Sequence, residues 1–79
     1  MKEKFLSTEH YIAYKQLEDD YKNFIVHFND FNDSNKDSEN YEKQRYICIK
    51  YLESAIKQKT FLSIDISRDT NKLFKLKFL

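Results

Sequence analysis

Residues 61–79 read FLSIDISRDTNKLFKLKFL, and the conformation of this stretch decides what kind of domain the chain makes. Leu62, Ile64 and Ile66 alternate with Ser63, Asp65 and Ser67, and further on Phe74, Leu76 and Phe78 alternate with Lys75 and Lys77. Successive side chains on a strand point to opposite faces, so both runs have the two-residue period of a half-buried strand. A register pairing Ile64 with Leu76 keeps the apolar sets on one face. It also places Leu62 opposite Phe78 and Asp65 opposite Lys75. Asp69, Thr70 and Asn71 are left as a three-residue loop, with Asn71 best suited to the left-handed conformation such a loop requires. Wound as a helix, Phe74, Leu76, Phe78 and Leu79 scatter around the circumference, which disfavours a membrane-seeking tail. The expectation is a C-terminal β-hairpin.

Upstream of it the period changes. Tyr14, Leu17, Tyr21, Phe24, Phe28 and Phe31 follow His10 at alternating spacings of four and three, one stripe of a helix expected over about residues 8–30. Ser7 or Thr8 can cap it, with Glu9 in the first turn where the helix dipole favours negative charge. A second helix is expected from Asp37 or Ser38 to about Lys59, with Tyr41, Arg45, Cys48, Ile49, Leu52, Ala55 and Ile56 on one face. Between them NDFNDSNKDSEN, residues 29–40, is polar enough to reverse the chain in solvent.

A turn centred near Ser34 and Asn35 pairs the helices with large residues facing small ones, Tyr21 near Cys48 and Tyr14 near Ala55, as close packing requires. It also sets Phe28 near Tyr41, and Phe24 near Arg45, whose stem can cover the aromatics while its head stays in water. A lone hairpin is marginal in water, so the two strands should lay their apolar face on the helix pair. Lys2 and Lys4 preceding Phe5 and Leu6 suggest a further strand over residues 2–6. The expected fold is α+β, an antiparallel helical hairpin packed on a C-terminal β-hairpin, in the order (β)ααββ and as a single domain over residues 1–79.

At 79 residues the chain hides only about 60% of its unfolded surface on folding, so association would add useful burial. It has no Gly, Pro or Trp but 13 aromatic residues, six Tyr and seven Phe, which suits long helices with a bulky core. The net charge of +1 is unevenly distributed: residues 1–40 carry five Lys against nine acids, residues 41–79 nine basic residues against four acids. One cysteine, Cys48, precludes an internal disulfide and suits a reducing compartment. MKEKFLS lacks the apolar run of a secretory signal, and no stretch approaches the length of a membrane span. A cytoplasmic protein with no membrane role is expected. The abundance of Lys, Asn, Ile, Tyr and Phe points to an AT-rich genome, such as that of a low-GC bacterium or one of its phages, and so to a chain encoded by a phage or other mobile element.

The residues give little support to catalysis. Asp33, Asn35 and Asp37 occupy the first, third and fifth places of a calcium-binding loop, but Ser38 stands where Gly is needed and Gln44 where a bidentate Glu is needed. Cys48 falls in the middle of a packed stripe, where a thiol serves as a small apolar filler. His10 and His27 are about 25 Å apart on one helix and cannot share a ligand within the chain. The run Glu18, Asp19, Asp20 reads as a solvated helix face. Without glycine there is no loop to cradle phosphate. No enzyme, cofactor or metal site is expected.

Some apolar residues fall outside the stripes. Ile12 and Val26 lie behind the first helix, and Ile47 and Tyr51 on the far side of the second, with Tyr46 near its other edge. Tyr46, Ile47 and Tyr51 are therefore the expected contact patch for a protein partner or a second copy of the chain, in a small interaction module acting as an inhibitor or regulator. The alternative is a DNA- or RNA-binding regulator using Arg68, Lys72, Lys75 and Lys77 on the C-terminal hairpin as a basic ribbon.

Overall fold

In a computed structural model that describes residues 7–78, the chain folds as three helices with no strand among the described residues. Helix α1 spans Thr8–Asp33, α2 spans Glu39–Phe61 and α3 spans Ser67–Lys77. The strand expected over residues 2–6 lies outside the described residues.

The first two helices arise as their stripes and caps dictate. Ser7 stands before α1 in an extended conformation, and its Oγ accepts from the His10 N–H at 3.2 Å. Ser38 does the same for α2 through Tyr41 N–H, with Glu39 and Glu42 in the first turn. α1 runs three residues further than expected, to Asp33. It keeps Phe31 inside the core and moves the turn forward. The register of the hairpin follows: Phe31, not Phe28, faces Tyr41, with ring centroids 4.5 Å apart. The turn closes without glycine because polar side chains supply its bonds. Ser38 Oγ donates to the Asn35 carbonyl, and Asn40 Nδ2 donates to Ser34 Oγ, both at 2.7 Å.

The C-terminal β-hairpin does not form, and the expected (β)ααββ order gives way to a bundle-like arrangement of helices. α2 ends at Phe61 with the backbone bent back through Ser63, whose φ of 61° is left-handed. Ile64 N–H reaches the Lys59 carbonyl at 2.8 Å and Ser63 N–H the Thr60 carbonyl at 3.2 Å, the paired bonds of a helix terminator that usually carries glycine. Ile64, read as the centre of a strand, thus serves to stop a helix. The chain then enters α3, whose first turn is closed by Thr70 N–H on the Ile66 carbonyl.

The alternation over Phe74–Phe78 was ambiguous, since any period-two run also contains pairs at helical spacing. Asp69, Leu73 and Leu76, spaced four and three apart, settle the matter: they turn to one side of α3, and Asp69 and Leu76 are each only 4% exposed. Phe74 and Phe78 turn outward. A helix satisfies its backbone groups locally, whereas a two-stranded hairpin would have left one edge of each strand without hydrogen-bond partners.

Phe24, Phe31, Cys48, Leu52 and Leu76 form the core, with Phe28, Tyr41, Ile49, Tyr51 and Leu73 packed around it. All three helices contribute. Arg45 does not leave its head in water: Nη1 donates to the Leu76 carbonyl at 2.7 Å, satisfying a backbone acceptor in the last turn of α3, while Nη2 pairs with Glu42 at 3.0 Å.

Ser63 gives this fold a direct test. Left-handed backbone costs a residue with a Cβ about 1–2 kcal/mol, and Gly gives back about 0.4–1 kcal/mol of that through the greater freedom of the unfolded chain. Ser63→Gly should therefore raise unfolding stability by about 0.5–1 kcal/mol, measured by urea denaturation; a loss of stability would show that Ser63 does not occupy this conformation.

Candidate partner interface

Before any surface can be assigned a role, the polar interior has to be accounted for, because two carboxylates lie inside it. Asp20, expected on a solvated face, is 2% exposed. It accepts from Ser54 Oγ of α2 at 2.6 Å and from Gln16 Nε2 at 2.9 Å. Nearby, His27 Nδ1 donates to Gln44 Oε1 at 2.7 Å, and the His27 ring stacks on Tyr51. These bonds lie along the edge where α1 meets α2.

Asp69 is the second buried carboxylate. Its Oδ2 accepts a hydrogen bond from the Tyr21 hydroxyl of α1 and an ion pair from Lys59 Nζ of α2 at 2.8 Å. Lys59 also lies 4.9 Å from the centroid of the Tyr21 ring. Burial pushes the Tyr21 hydroxyl above its ordinary pKa, and the Asp69 hydrogen bond pushes it further. For Lys59, burial acts downward, but the Asp69 hydrogen bond, with Tyr21 and the Asp69 charge, outweighs it and leaves the amine above its ordinary value. Tyr, Asp and Lys together could suggest proton transfer. Here each is spent on holding a different helix, and neither groove described below is lined by any of the three.

Cys48 is fully buried, and burial pushes its thiol up to about 11, far from a reactive thiolate. No group of three or more His, Cys, Asp or Glu side chains among the described residues could hold a metal ion. In the loop read against a calcium site, Asn35 Oδ1 accepts from Asp37 N–H. No helix among the described residues is long and apolar enough to cross a membrane.

Of the expected contact patch, Tyr46 is 60% exposed with Lys50 Nζ over its ring. Ile47 is half-buried, and Tyr51 is packed against the core and stacked on His27. The three span a wide arc of α2, and Tyr51 already has a structural role.

A larger exposed feature lies on α3. Phe74 and Phe78 are 63% and 72% exposed, with ring centroids 4.7 Å apart, and form an aromatic ridge on the side away from the core. Reading the segment as a strand had placed both residues inward. The signal that could have found the ridge was their spacing of four, set against the Asp69, Leu73, Leu76 stripe.

The basic residues of the segment divide once it is a helix. Arg68, Lys72 and Lys75 follow at spacings of four and three along one side, whereas Lys77 lies on another and pairs with Glu53 of α2 at 3.3 Å. Lys72 Nζ sits 5.6 Å from the centroid of the Phe24 ring of α1. The stripe therefore looks toward α1. No Cα of α3 comes within 8 Å of one in α1. Between them is a groove of about 230 Å³, with Phe28, Phe31 and Leu76 at its base and Lys72, Lys75 and Asn32 at its rim. At the other end of the hairpin a second groove of about 390 Å³ is lined by Ile12, Ala13 and Phe61, flanked by Glu9 and Lys57.

With this geometry in view, the chain was compared with protein-family models, curated proteins and solved structures, and none matches.

Removing one member of a buried ion pair leaves the other uncompensated, so Asp69→Ala should cost about 3–5 kcal/mol. Tyr21→Phe, which loses one hydrogen bond to a charged group, should cost about 1.5–3 kcal/mol. Urea midpoints would check both; effects under half a kcal/mol would mean the carboxylate is solvated.

The buried polar groups also set a dependence on pH. Cys48, Tyr21 and Lys59 all hold their protons more tightly folded than unfolded, so the folded chain binds more protons and stability falls as pH rises. The loss should begin near the ordinary thiol value of 9.0 and continue toward 11 for Cys48, joined by Tyr21 and Lys59 above their ordinary 10.0 and 10.5. Urea midpoints should fall across this range. In Cys48→Ala, which keeps a small apolar side chain, the onset should move up to where Tyr21 begins to ionise.

Proposed function

We propose that the chain is a small protein-binding module, acting as an inhibitor or regulator, that meets its partner through α3. The observation that carries this reading is the exposed Phe74–Phe78 ridge. Aromatic side chains presented together on a rigid helix are what protein interfaces use as anchors, and these two contribute nothing to the chain's own core. A fully buried thiol with no disulfide partner suits a reducing, cytoplasmic setting, and the AT-rich composition suits a phage or other mobile element.

The nucleic-acid alternative loses its main geometric support, because it rested on a two-stranded basic ribbon and the segment is a helix. Lys77, moreover, is committed to Glu53.

Affinity capture from the native host, comparing the unaltered chain with a Phe74→Ser, Phe78→Ser double variant, tests the proposal. Both residues are exposed, so the variant should keep its helicity and lose no more than about 0.5 kcal/mol of stability per substitution. A protein retained by the unaltered chain and lost by the variant is the expected outcome. Retention of the same protein by both, or salt-sensitive retention of nucleic acid alone, would overturn it.

A further inference from the structure

The groove between α1 and α3 says more about the partner than the aromatic ridge does. α3 carries four cations, Arg68, Lys72, Lys75 and Lys77, against a single acid, Asp69. That acid is buried and already bonded to Tyr21 and Lys59. Every charge that α3 presents to solvent is therefore positive, and of its four cations only Lys77 has an ion-pair partner among the described residues. Lys72 and Lys75 stand at the rim of the apolar groove, one turn apart, and Arg68 continues the row.

From this charge pattern and the open seat between the helices, the geometry points to one occupant: an acidic amphipathic helix of a partner protein. Its apolar side would enter the α1–α3 groove, and its carboxylates would meet Arg68, Lys72 and Lys75. The inference rests on the protein-binding reading above and names the chemistry of the partner.

Three features favour this occupant over others. The axes of packed helices lie about 8–10 Å apart, which brings facing Cα atoms well inside 8 Å. α1 and α3 show no Cα separation as short as 8 Å and are joined through side chains, so a helix can lie against both. Second, about 230 Å³ is below the usual size of a small-molecule pocket, about 300–1,000 Å³, but has room for one large apolar anchor. Third, a second copy docking through its own α3 would bring two rows of lysine and arginine together with no exposed acid on either helix to separate them. The larger groove at Ile12 and Phe61 names no occupant in this way, because Glu9 and Lys57 flank it with opposite charges.

A designed helical peptide supplies the probe. It carries Leu and Phe at spacings of three and four and Glu at its exposed positions, and a control has each Glu replaced by Lys. Fluorescence anisotropy with the full chain should show the acidic peptide binding at least tenfold more tightly than the control, with affinity falling as salt rises. Lys72→Glu with Lys75→Glu should weaken it at least tenfold and favour the Lys peptide. Phospholipid vesicles with phosphatidylglycerol, and a DNA duplex, form the other arms. Equal binding of the two peptides, no binding of either, or tighter binding to vesicle or duplex would overturn the inference. So would a second copy seated in the groove, read as a dimer in light scattering that Lys72→Glu abolishes. If a host protein is still captured through Phe74 and Phe78 while the acidic peptide fails, the binding-module reading stands and this identification of the partner falls. If both experiments fail, both fall.

Discussion

The carboxylate of Asp69 is the constraint on which the arrangement of the three helices depends. A buried negative charge is costly unless it is paired and hydrogen-bonded, and Asp69 meets that condition by drawing one partner from each of the other helices. Tyr21 comes from α1 and Lys59 from α2. Leu76 enters the core seven residues later on the same face of α3, so the polar contact and the apolar contact fix the helix at two points along its length. Arg45 on the Leu76 carbonyl and Lys77 on Glu53 hold its C-terminal end to α2. Asp20 performs a comparable task for α1 and α2, through Ser54.

These inward bonds also shape what faces outward. Because α3 is held to α1 through Tyr21 and through Lys72 over Phe24, and not by close backbone packing, a groove opens between the two helices. Because the only acid of α3 is drawn inside, every charge it shows to solvent is positive. The bond that holds the helix in place thus leaves both a space and a charge beside it. The outward aromatics have the same origin, since turning Asp69, Leu73 and Leu76 inward leaves Phe74 and Phe78 on the opposite side.

Much of the helical hairpin was legible in residues 8–61. The stripe of aromatics on α1, the serines at both N-termini and the polar turn all act locally, within one or two helical turns, and local pattern reports them well. The register was off by about one helical turn because Phe31, included in the stripe, also stood inside a polar segment; its burial extended α1. Asp20 was misread because its neighbours Glu18 and Asp19 are exposed and only Ser54, 34 residues away, gives it reason to be buried. The C-terminal segment was misread for a related reason. Its alternation fits a strand, and what favours a helix is a carboxylate whose partners lie 48 residues away on α1 and ten away on α2.

The sequence by itself determined two long capped helices, an aromatic-rich interior, a thiol inside it and an uneven distribution of charge, because each follows from composition or from spacing within one helical stripe. Only the tertiary structure decided that residues 67–77 are a helix and which of their residues turn inward. Phe74, Leu76 and Phe78 have similar hydrophobicity, and nothing in their order says which must be buried. The choice falls to Leu76 because Asp69 can face inward only where Tyr21 and Lys59 already wait for it, and a helix held there turns its phenylalanines toward solvent.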